Sequence, residues 1–357
     1  MPYKILVINP GSTSTKIGVY IDDTPFCVTT IRHNPDELSQ YKHITDQHVF
    51  RRKVVLDWLK INHIPLNFDA IIGRGGLLKP ISGGVYRVNQ KMCEEIFHAV
   101  RKHACNLGCL IAYELAHEQG SPTCPSYIAD PVTVDELLPE ARISGSPLMT
   151  RHAIWHALNQ RAIAHRYAKE IGKRYEDLNL IVCHLGGGIS IAAHMHGRAV
   201  DANNALDGEG PLSPERAGTL PAADLIHLCY SGRYTEEQLK KRIAGKAGLM
   251  AHLGTTDLVD ILSRIERGDE KARLLIDAMI FHTAKAIAAE GAVFAGKVDA
   301  ILLTGGMAHA DYITSGITSR VNYLAPVHIF PGEDEIESLA LNALAVLRGE
   351  RQAKEYV

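Results

Sequence analysis

Residues 5–20 read ILVINPGSTSTKIGVY, and residues 180–193 read LIVCHLGGGISIAA. Each stretch starts with four apolar residues, passes through a turn of small residues, and returns to an extended apolar pattern. The two patterns predict β-hairpins whose turns contain more serine, threonine or glycine than a plain connection requires. Successive backbone N–H groups in such turns can surround anionic oxygens. Two similar hairpins half a chain apart therefore predict two similar domains that face each other across a cleft.

Strand and helix patterns alternate along the rest of the chain. Short apolar runs predict strands over 69–73 and 298–303. Apolar residues at helical spacing from Ile336 to Leu347 predict an amphipathic C-terminal helix. This alternation is typical of layered α/β domains.

The length of 357 residues exceeds what one ordinary hydrophobic core holds, so we expect two domains. A turn over 144–147 that contains glycine and proline is the candidate boundary. We therefore predict one domain over residues 1–150 and a second over 151–334, with the segment 335–357 packing back on the first. The alternative linkers are the loop over 208–214 and Pro221.

The charge balance excludes several classes of protein. The chain has 38 lysine and arginine residues against 40 aspartate and glutamate residues, so its formal net charge is −2. This balance provides no basic field for nucleic acid or for an anionic membrane surface. No apolar run reaches the roughly 18 residues of a membrane helix, and the N-terminus lacks the apolar core of a secretory signal. We therefore expect a soluble, cytoplasmic protein. The seven cysteines form no CxxC pair, so we also expect no structural metal site.

Two polar loops in the N-terminal half follow apolar strands, where α/β folds usually bind ligands. The hydroxyls of residues 12–15 and the ammonium of Lys16 could meet a phosphate or its metal ion. A serine- and threonine-rich turn with an exposed lysine is the equal alternative. In Gly73-Arg74-Gly75-Gly76 the guanidinium could bind carboxylate or phosphate oxygens, or it could simply be solvated by water.

Two further polar segments lie in the C-terminal half. The loop over 202–218 is long, and its prolines argue against disorder, so a functional role is the favoured interpretation. The acids of residues 333–335 begin the last helix; they either anchor magnesium or match the positive end of the helix dipole. Asp130 precedes a proline and is expected on extended backbone, and His156 is expected to open a helix.

Five of these motifs, taken in order, resemble those of one enzyme family. They are residues 9–16, residues 73–76, the HLGGG of residues 184–188, the loop with Ser-Pro-Glu-Arg over 203–218, and residues 331–335. Together they resemble the butyrate kinases, the short- and branched-chain branch of the acetate kinase family, within the superfamily of actin and the sugar kinases. The resemblance implies two α/β domains of the actin-like, ribonuclease H-like kind across a nucleotide cleft, the first on the acyl-acceptor side and the second on the nucleotide side. It also implies reversible phosphoryl transfer from ATP to a short fatty acid.

The resemblance implies a role for each candidate residue. Near the transferring phosphate and its Mg²⁺ lie Asn9, Ser12, Ser14 and Lys16. The groups that bind the substrate carboxylate, hold the moving phosphoryl group or orient them are Arg74, Asp130, His156 and Arg216. The nucleotide side is lined by His184, Gly186, Gly187, Gly188, Gly305 and Gly306. The metal anchors are Asn9 and one of Glu333, Asp334 and Glu335.

The resemblance also bears on the length of the acid. Acetate kinases carry bulkier residues after the corresponding arginine, so Gly75 and Gly76 are expected to leave room for extra methylenes, with Trp155 restricting the same pocket. Butyrate or isobutyrate is then the expected acceptor, and acetate or propionate the alternative. The expected partners are ATP or ADP with Mg²⁺, the carboxylate or its acyl phosphate, and a second copy of the chain in a homodimer or higher oligomer, with no nucleic acid and no membrane.

The chemistry of such a reaction fits the residue types. A carboxylate is already a nucleophile at neutral pH, so a site with two arginines, a histidine and a lysine needs no general base. Two alternatives share the fold: an actin-like ATPase that polymerises with ATP, and a sugar kinase, for which only Asp130 could serve as the base.

Overall fold

The structure is a computed structural model that describes residues 2–99, 103–118 and 124–357. The chain divides into two compact units: a first unit of Met1–Val134 with Asp334–Val357, and a second unit of Asp135–Glu333. This division lies after residue 134, whereas the sequence pattern predicts a boundary near residue 150. Among the helices of the described ranges, none has the length and apolar character needed to cross a membrane.

The first unit is built on a mixed sheet. Within the described residues its strands are β1 Lys4–Pro10, β2 Ser14–Ile21, β3 Thr24–Arg32, β4 Ala70–Arg74, β5 Val85–Arg87 and β6 Ser126–Ala129. They form a six-stranded sheet in the spatial order β3-β2-β1-β4-β6-β5. The strands β1, β4 and β6 are parallel, while β2, β3 and β5 run antiparallel to their neighbours. Residues 5–8 of β1 are fully buried, as expected for an apolar run in a central strand.

Helices pack on this sheet and position the ends of its strands. In the described part of this unit they are α1 Pro35–Ser39, α2 His48–Ile61, α3 Gln90–Phe97, α4 Asn106–Glu118 and α13 Glu335–Leu347, with a 3₁₀ turn at Ile44–Gln47. The helix α4 packs against β4, and the C-terminal helix α13 packs against β1 and β4. A Cβ on Gly73 would collide with the carbonyl oxygen of Gly108. These two glycines therefore let α4 approach β4 closely, directly before Arg74.

The second unit is also a layered α/β structure. Its described strands are β7 Asn179–Leu185, β8 Ile189–Met195, β9 Arg198–Ala202, β10 Ala300–Gly305 and β11 Val327–Pro331. Its described helices are α5 Pro139–Arg142, α6 Ala157–Glu170, α7 Ala222–Cys229, α8 Glu236–Ile243, α9 Gly248–Leu253, α10 Leu258–Glu266, α11 Glu270–Glu290 and α12 Asp311–Val321. Three 3₁₀ turns occur at Tyr175–Asp177, Gly291–Phe294 and Gly306–His309. The strands follow the spatial order β11-β10-β7-β8-β9.

The two sheets share one topology. The first contains the order β3-β2-β1-β4-β6, and the second contains the order β9-β8-β7-β10-β11. In each, three antiparallel strands are followed by two parallel ones. The hairpin β1–β2 therefore corresponds to the hairpin β7–β8, and the predicted α/β class with two similar domains is confirmed.

Candidate active site

In the first unit, predicted site residues lie at the carboxyl ends of parallel strands. Asn9 lies near the end of β1, Arg74 ends β4, and Asp130 directly follows β6. The three strands are neighbours in the sheet, so their ends form one edge. This is the edge at which α/β folds bind ligands.

Asn9 and Arg74 meet at one carboxylate. Asn9 Nδ2 donates to Glu335 Oε2 at 2.7 Å, and the Arg74 guanidinium donates to the same oxygen. The ion pair is well shielded, since the Arg74 side chain is 19% exposed and that of Glu335 is 12% exposed. Of the three acids predicted as metal anchors, only Glu335 belongs to this cluster among the described contacts. Asp334 precedes α13, and Glu333 belongs to the second unit.

A buried arginine holds the turn between β1 and β2, and no local sequence motif predicts it. Arg51, in α2, is fully buried. Its guanidinium donates to the carbonyl oxygens of Gly11, Ser14 and Ser12 at 2.7, 2.9 and 3.1 Å, and to Gln47 Oε1 at 3.0 Å. No carboxylate of the described residues pairs with it. Burial lowers the pKa of Arg51 to about 10, so at neutral pH an uncompensated positive charge lies behind the turn.

The polar side chains of this turn remain available to a ligand. Within the described ranges, the hydroxyls of Ser12 and Ser14 and the ammonium of Lys16 have no hydrogen-bond or ion-pair partner. Ser12 is exposed, while Ser14 and Lys16 are partly buried. The turn therefore combines free donors in front with the buried Arg51 charge behind, an arrangement that attracts anions.

The backbone of Asp130 differs from the sequence expectation. Its φ is 39°, in the left-handed region, so the expectation of extended backbone is wrong. The buried carboxylate accepts a hydrogen bond from the Gly84 main-chain N–H at 2.7 Å, and Asp130 N donates to the Gly84 carbonyl at 3.0 Å. These two bonds override the bias that Pro131 imposes on its predecessor. Strained non-glycine residues of this kind concentrate at functional sites.

The two glycines after Arg74 are not a gap left for a longer acid. A Cβ on Gly75 would lie 2.7 Å from Pro131 Cβ, and a Cβ on Gly76 would lie 2.7 Å from Asn106 Cα. The space beside each glycine is therefore filled by protein. The interpretation of Gly75 and Gly76 as room for methylenes is wrong at these positions; they let the segment pack closely on its neighbours.

In the second unit the predicted residues again lie at strand ends. His184 is in β7, Gly305 ends β10, and Glu333 follows β11. His184 Nδ1 lies 2.8 Å from Asn159 Oδ1, and His184 Nε2 lies 3.0 Å from Glu333 Oε1. The ring of His156, directly before α6, stacks on the His184 ring with centroids 3.8 Å apart and an interplanar angle of 11°. The structure therefore brings together two histidines that the sequence separates by 28 residues.

The glycines between β7 and β8 make room for an arginine. A Cβ on Gly188 would collide with the Arg216 guanidinium, which lies against the turn and donates to the Ala205 carbonyl at 2.8 Å. Burial lowers the pKa of Arg216, and the smaller, opposite effect of the nearby Glu215 carboxylate does not reverse this. The predicted Arg216 and the predicted glycine turn are thus parts of one local structure.

The other glycines predicted on the nucleotide side differ in their surroundings. A Cβ on Gly186 would lie 2.8 Å from His184 Nε2 and 3.2 Å from Glu333 Oε1. Gly305 has a φ of 93°, and a Cβ there would collide with the Leu185 carbonyl. A Cβ on Gly306 would meet no described atom within 4 Å. Only Gly306 of these three therefore borders open space.

Trp155, predicted to restrict the substrate pocket, packs inside the second unit. It is 2% exposed, and its ring meets that of His194 edge-on at 5.6 Å. Next to it, His156 Nδ1 lies 2.8 Å from Ser190 Oγ, and Gln160 Nε2 lies 2.9 Å from the same oxygen. The sequence motifs miss Ser190 and Gln160. The available signal for Ser190 is that it is a polar residue within the apolar run of residues 189–193, whereas Gln160 lies between Asn159 and Arg161 and carries no such signal.

The comparisons with known proteins agree with this geometry. The model of the Acetokinase family matches residues 147–324. A probable butyrate kinase of Bacteroides thetaiotaomicron is 63% identical over 353 residues, which are 99% of this chain and 99% of that protein. Butyrate kinase 1 of Clostridium acetobutylicum is 50% identical over 356 residues, again 99% of both chains.

One solved structure shows the same fold at low sequence identity. The crystal structure of Porphyromonas gingivalis acetate kinase matches with a TM-score of 0.79 and 18% identity, over 97% of this chain and 100% of that chain. Since the identity is so low, this match bears on the fold alone.

Proposed function

Because the chain belongs to the acetokinase family, we propose that it transfers the γ-phosphoryl group of ATP reversibly to butyrate or a branched four-carbon acid. The observation that carries this choice is the 63% identity, over 99% of both chains, to a probable butyrate kinase. The product is an acyl phosphate, and the enzyme is a phosphotransferase with a carboxyl group as acceptor.

The reaction asks for positive charge rather than for a base. One carboxylate oxygen of the acid forms a bond to the γ-phosphorus while the bond from that phosphorus to the bridging oxygen of ADP breaks. No proton is removed from the nucleophile, so the obstacle is the approach of two anions. Oriented cations and N–H donors lower that barrier.

In the first unit, we assign Arg74 to the substrate carboxylate and the turn after β1 to phosphate oxygens. The planar Arg74 guanidinium offers five donors, so it can bind a second carboxylate beside Glu335. The free hydroxyls of Ser12 and Ser14 and the Lys16 ammonium supply donors to phosphate. Asp130, held by the Gly84 backbone, orients the groups at the end of β6.

Members of this family use ATP with a divalent metal, and we propose Mg²⁺ as that ion. When bound, Mg²⁺ would offset the negative charge on the phosphate oxygens and favour transfer of the phosphoryl group. The side chains fit such an ion. Asn9 Nδ2 lies 2.7 Å from Glu335 Oε2, so the two side chains are adjacent, and both carry oxygen atoms. Mg²⁺ is commonly held by one or two carboxylates together with substrate phosphates and water. Asn9 and Glu335 would hold the ion, whereas Glu333 contacts His184.

In the second unit, we assign the nucleotide to the turn at residues 186–188, to His184 and to residues 305–306. Arg216 and His156 are the donors that hold the phosphoryl oxygens while the group moves. The close contacts of His156 with His184 and of Arg216 with Gly188 support a shared role for these residues. We also propose that the enzyme works as a homodimer or larger homo-oligomer, which light scattering at increasing protein concentration would test.

The direct experiment is a hydroxamate assay for acyl phosphate with ATP, Mg²⁺ and a series of acids of two to six carbons, straight and branched. Two additional buried methylenes contribute about 1.6 kcal/mol, so butyrate or isobutyrate should exceed acetate by roughly ten-fold in kcat/KM. A preference for acetate or propionate would overturn the four-carbon acceptor but not the carboxylate kinase. Acyl phosphate from no acid at all would overturn both, and ATP-dependent light scattering would then indicate an actin-like ATPase.

A further inference from the structure

We infer that Gln160 and Ser190, at one end of a buried series of hydrogen bonds that continues to His194 and Tyr175, hold His156 in the neutral tautomer that carries its proton on Nε2. Gln160, Ser190 and His194 are fully buried, and Tyr175 is 2% exposed. Gln160 and Ser190 are the positioning residues that act through His156, and His194 and Tyr175 complete the hydrogen bonds behind them. The inference deepens the proposed function, which supplies the reason why the Nε2 proton matters.

The main-chain carbonyl of Ser190 determines which groups donate and which accept in this series of hydrogen bonds. Gln160 Nε2 lies 3.0 Å from this oxygen, which can only accept. The amide of Gln160 must therefore present its NH₂ group to Ser190 and its oxygen to His194. The Gln160 Oε1 to His194 Nε2 distance is 3.1 Å, so His194 must donate from Nε2.

The donor and acceptor roles of His194 and Tyr175 follow from the orientation of Gln160. Burial, followed by the charges of Arg161 and His165, lowers the pKa of His194 to about 3, so its ring is neutral and carries one proton. Since that proton is on Nε2, Nδ1 accepts a hydrogen bond from the Tyr175 hydroxyl at 2.6 Å. Each donor in this part of the series then has an acceptor, and each acceptor has a donor.

The other end of the series determines the protonation of His156. Two N–H groups face Ser190 Oγ: the Gln160 amide at 2.9 Å and the His156 main chain at 3.3 Å. Both lone pairs of the hydroxyl are thereby used, so its own proton is left to donate. His156 Nδ1, 2.8 Å away, is the acceptor. A neutral His156 ring with an unprotonated Nδ1 carries its proton on Nε2.

This arrangement suits a group that must donate to phosphoryl oxygens at neutral pH. Nδ1 is tied to Ser190, so the ring cannot flip, and Nε2–H is a donor whether or not the ring gains a second proton. The opposite tautomer would present a lone pair to the phosphoryl oxygens and repel them. In catalytic sites of other kinds, loss of the group that sets a histidine tautomer lowers turnover strongly.

The test is a two-bond ¹H–¹⁵N correlation spectrum of the full chain labelled with ¹⁵N-histidine, near neutral pH and without substrate, with His156 assigned by its loss in His156→Gln. We expect the Nδ1 signal near the value of an unprotonated ring nitrogen and the Nε2 signal near that of a protonated one. The reverse pattern in the unmodified chain would overturn the inference. This measurement needs no activity, so it can succeed even where the proposed kinase reaction fails.

Variants separate a positioning role from a purely structural one. Ser190→Ala and, as a second variant should that one not fold, Gln160→Leu should give a mixture of His156 tautomers and lower kcat by roughly ten- to a hundred-fold, with little change in the KM for ATP. Ser190→Thr keeps the hydroxyl, so His156 should stay protonated on Nε2 and kcat should stay close to that of the unmodified protein. Tyr175→Phe is the matched control, because the Ser190 carbonyl still sets the Gln160 amide and His156 should stay protonated on Nε2. Unchanged tautomers in Ser190→Ala and Gln160→Leu would contradict the inference.

Discussion

The turn between β1 and β2 and the turn between β7 and β8 occupy the same place in their two sheets, and each is accompanied by an arginine. In the first turn, the fully buried Arg51 binds carbonyl oxygens. In the second, Arg216 lies where a Cβ of Gly188 would be, and the Gly187 carbonyl is held by Ser213 Oγ at 2.9 Å.

The difference explains the composition of the two turns. An arginine that binds the turn from its buried side leaves the side chains free, so the first turn can carry hydroxyls and Lys16. An arginine that lies against the turn itself requires glycine beneath it, and this explains Gly188. In the proposed function, Arg51 therefore supports the turn that binds phosphate, whereas Arg216 itself contacts the phosphoryl group.

The largest effect on turnover should come from removing Arg216, to which the proposed function assigns a contact with the phosphoryl group. Arg216→Ala should lower turnover by roughly two to four powers of ten, because a charge-assisted contact to the moving phosphoryl group is lost. Arg74→Ala, at the end of β4, should cause a loss of the same order. Acyl phosphate formation and thermal unfolding of each variant are the measurements. Near-normal turnover in a folded variant would mean that the arginine has no part in the reaction.

A methyl group added to each turn should distinguish the two arrangements. Gly188→Ala should displace the Arg216 guanidinium and lower turnover by about a hundred-fold, since a misplacement of about 1 Å can have that effect. Gly11→Ala is the matched variant in the first turn, where the Cβ would lie 3.5 Å from Ser14 Oγ, an ordinary contact. It should change turnover by less than about three-fold. Equal losses in both variants would mean that the turns are not held differently.

The buried arginine should matter more for stability than its neighbour in the same helix. Arg51→Met leaves buried carbonyls without donors and should lower the free energy of unfolding by about 3 kcal/mol. The matched control is Arg52→Met, which removes partly exposed ion pairs with Glu114 and Glu118 and should change stability by no more than about 1 kcal/mol. Urea unfolding of both variants provides the values. A similar small change in both would show that Arg51 does not support the turn.

The smallest effect concerns pH and the histidine beside the first turn. His33 Nε2 lies 2.8 Å from Thr15 Oγ1, and burial, followed by the Arg51 charge, lowers the pKa of His33 from 6.5 to about 4. The unfolded chain binds the proton more readily, so stability is fully present above pH 6.5 and is lost as the pH falls from 6.5 towards 4.

The difference in unfolding free energy between the unmodified chain and His33→Gln measures this contribution. It should change by up to about 1.4 kcal/mol per pH unit across that window, with the unmodified chain losing stability faster on acidification. A difference that stays constant from pH 7 to pH 4 would mean that His33 titrates normally in the folded protein.

Local patterns predicted the elements that carry the site. The apolar runs before residues 9 and 184 are β1 and β7, and the stripe from Ile336 to Leu347 is α13. These elements follow from residues close together in the chain, because periodicity of two or 3.6 is a local property. The resemblance drawn from five motifs in order is likewise confirmed by relatives that match over the whole chain.

The sequence did not predict features that depend on distant contacts. Arg51 reaches carbonyls about 40 residues away, and Gln160 meets a strand residue 30 positions later. Asp130 takes a left-handed backbone because of Gly84, against the local bias of the following proline. The glycines at 75 and 76 are explained by Pro131 and Asn106 rather than by a ligand. In each case the deciding neighbour is far away in the chain.

The most direct test of the central claim uses butyrate labelled with ¹⁸O in its carboxylate, incubated with the enzyme, ATP and Mg²⁺ and followed by ³¹P NMR. If the carboxylate attacks the γ-phosphorus, ADP and butyryl phosphate appear one for one, and the phosphorus of the product carries one ¹⁸O atom. Release of ADP and free unlabelled phosphate, at a rate that does not depend on butyrate, would contradict the account.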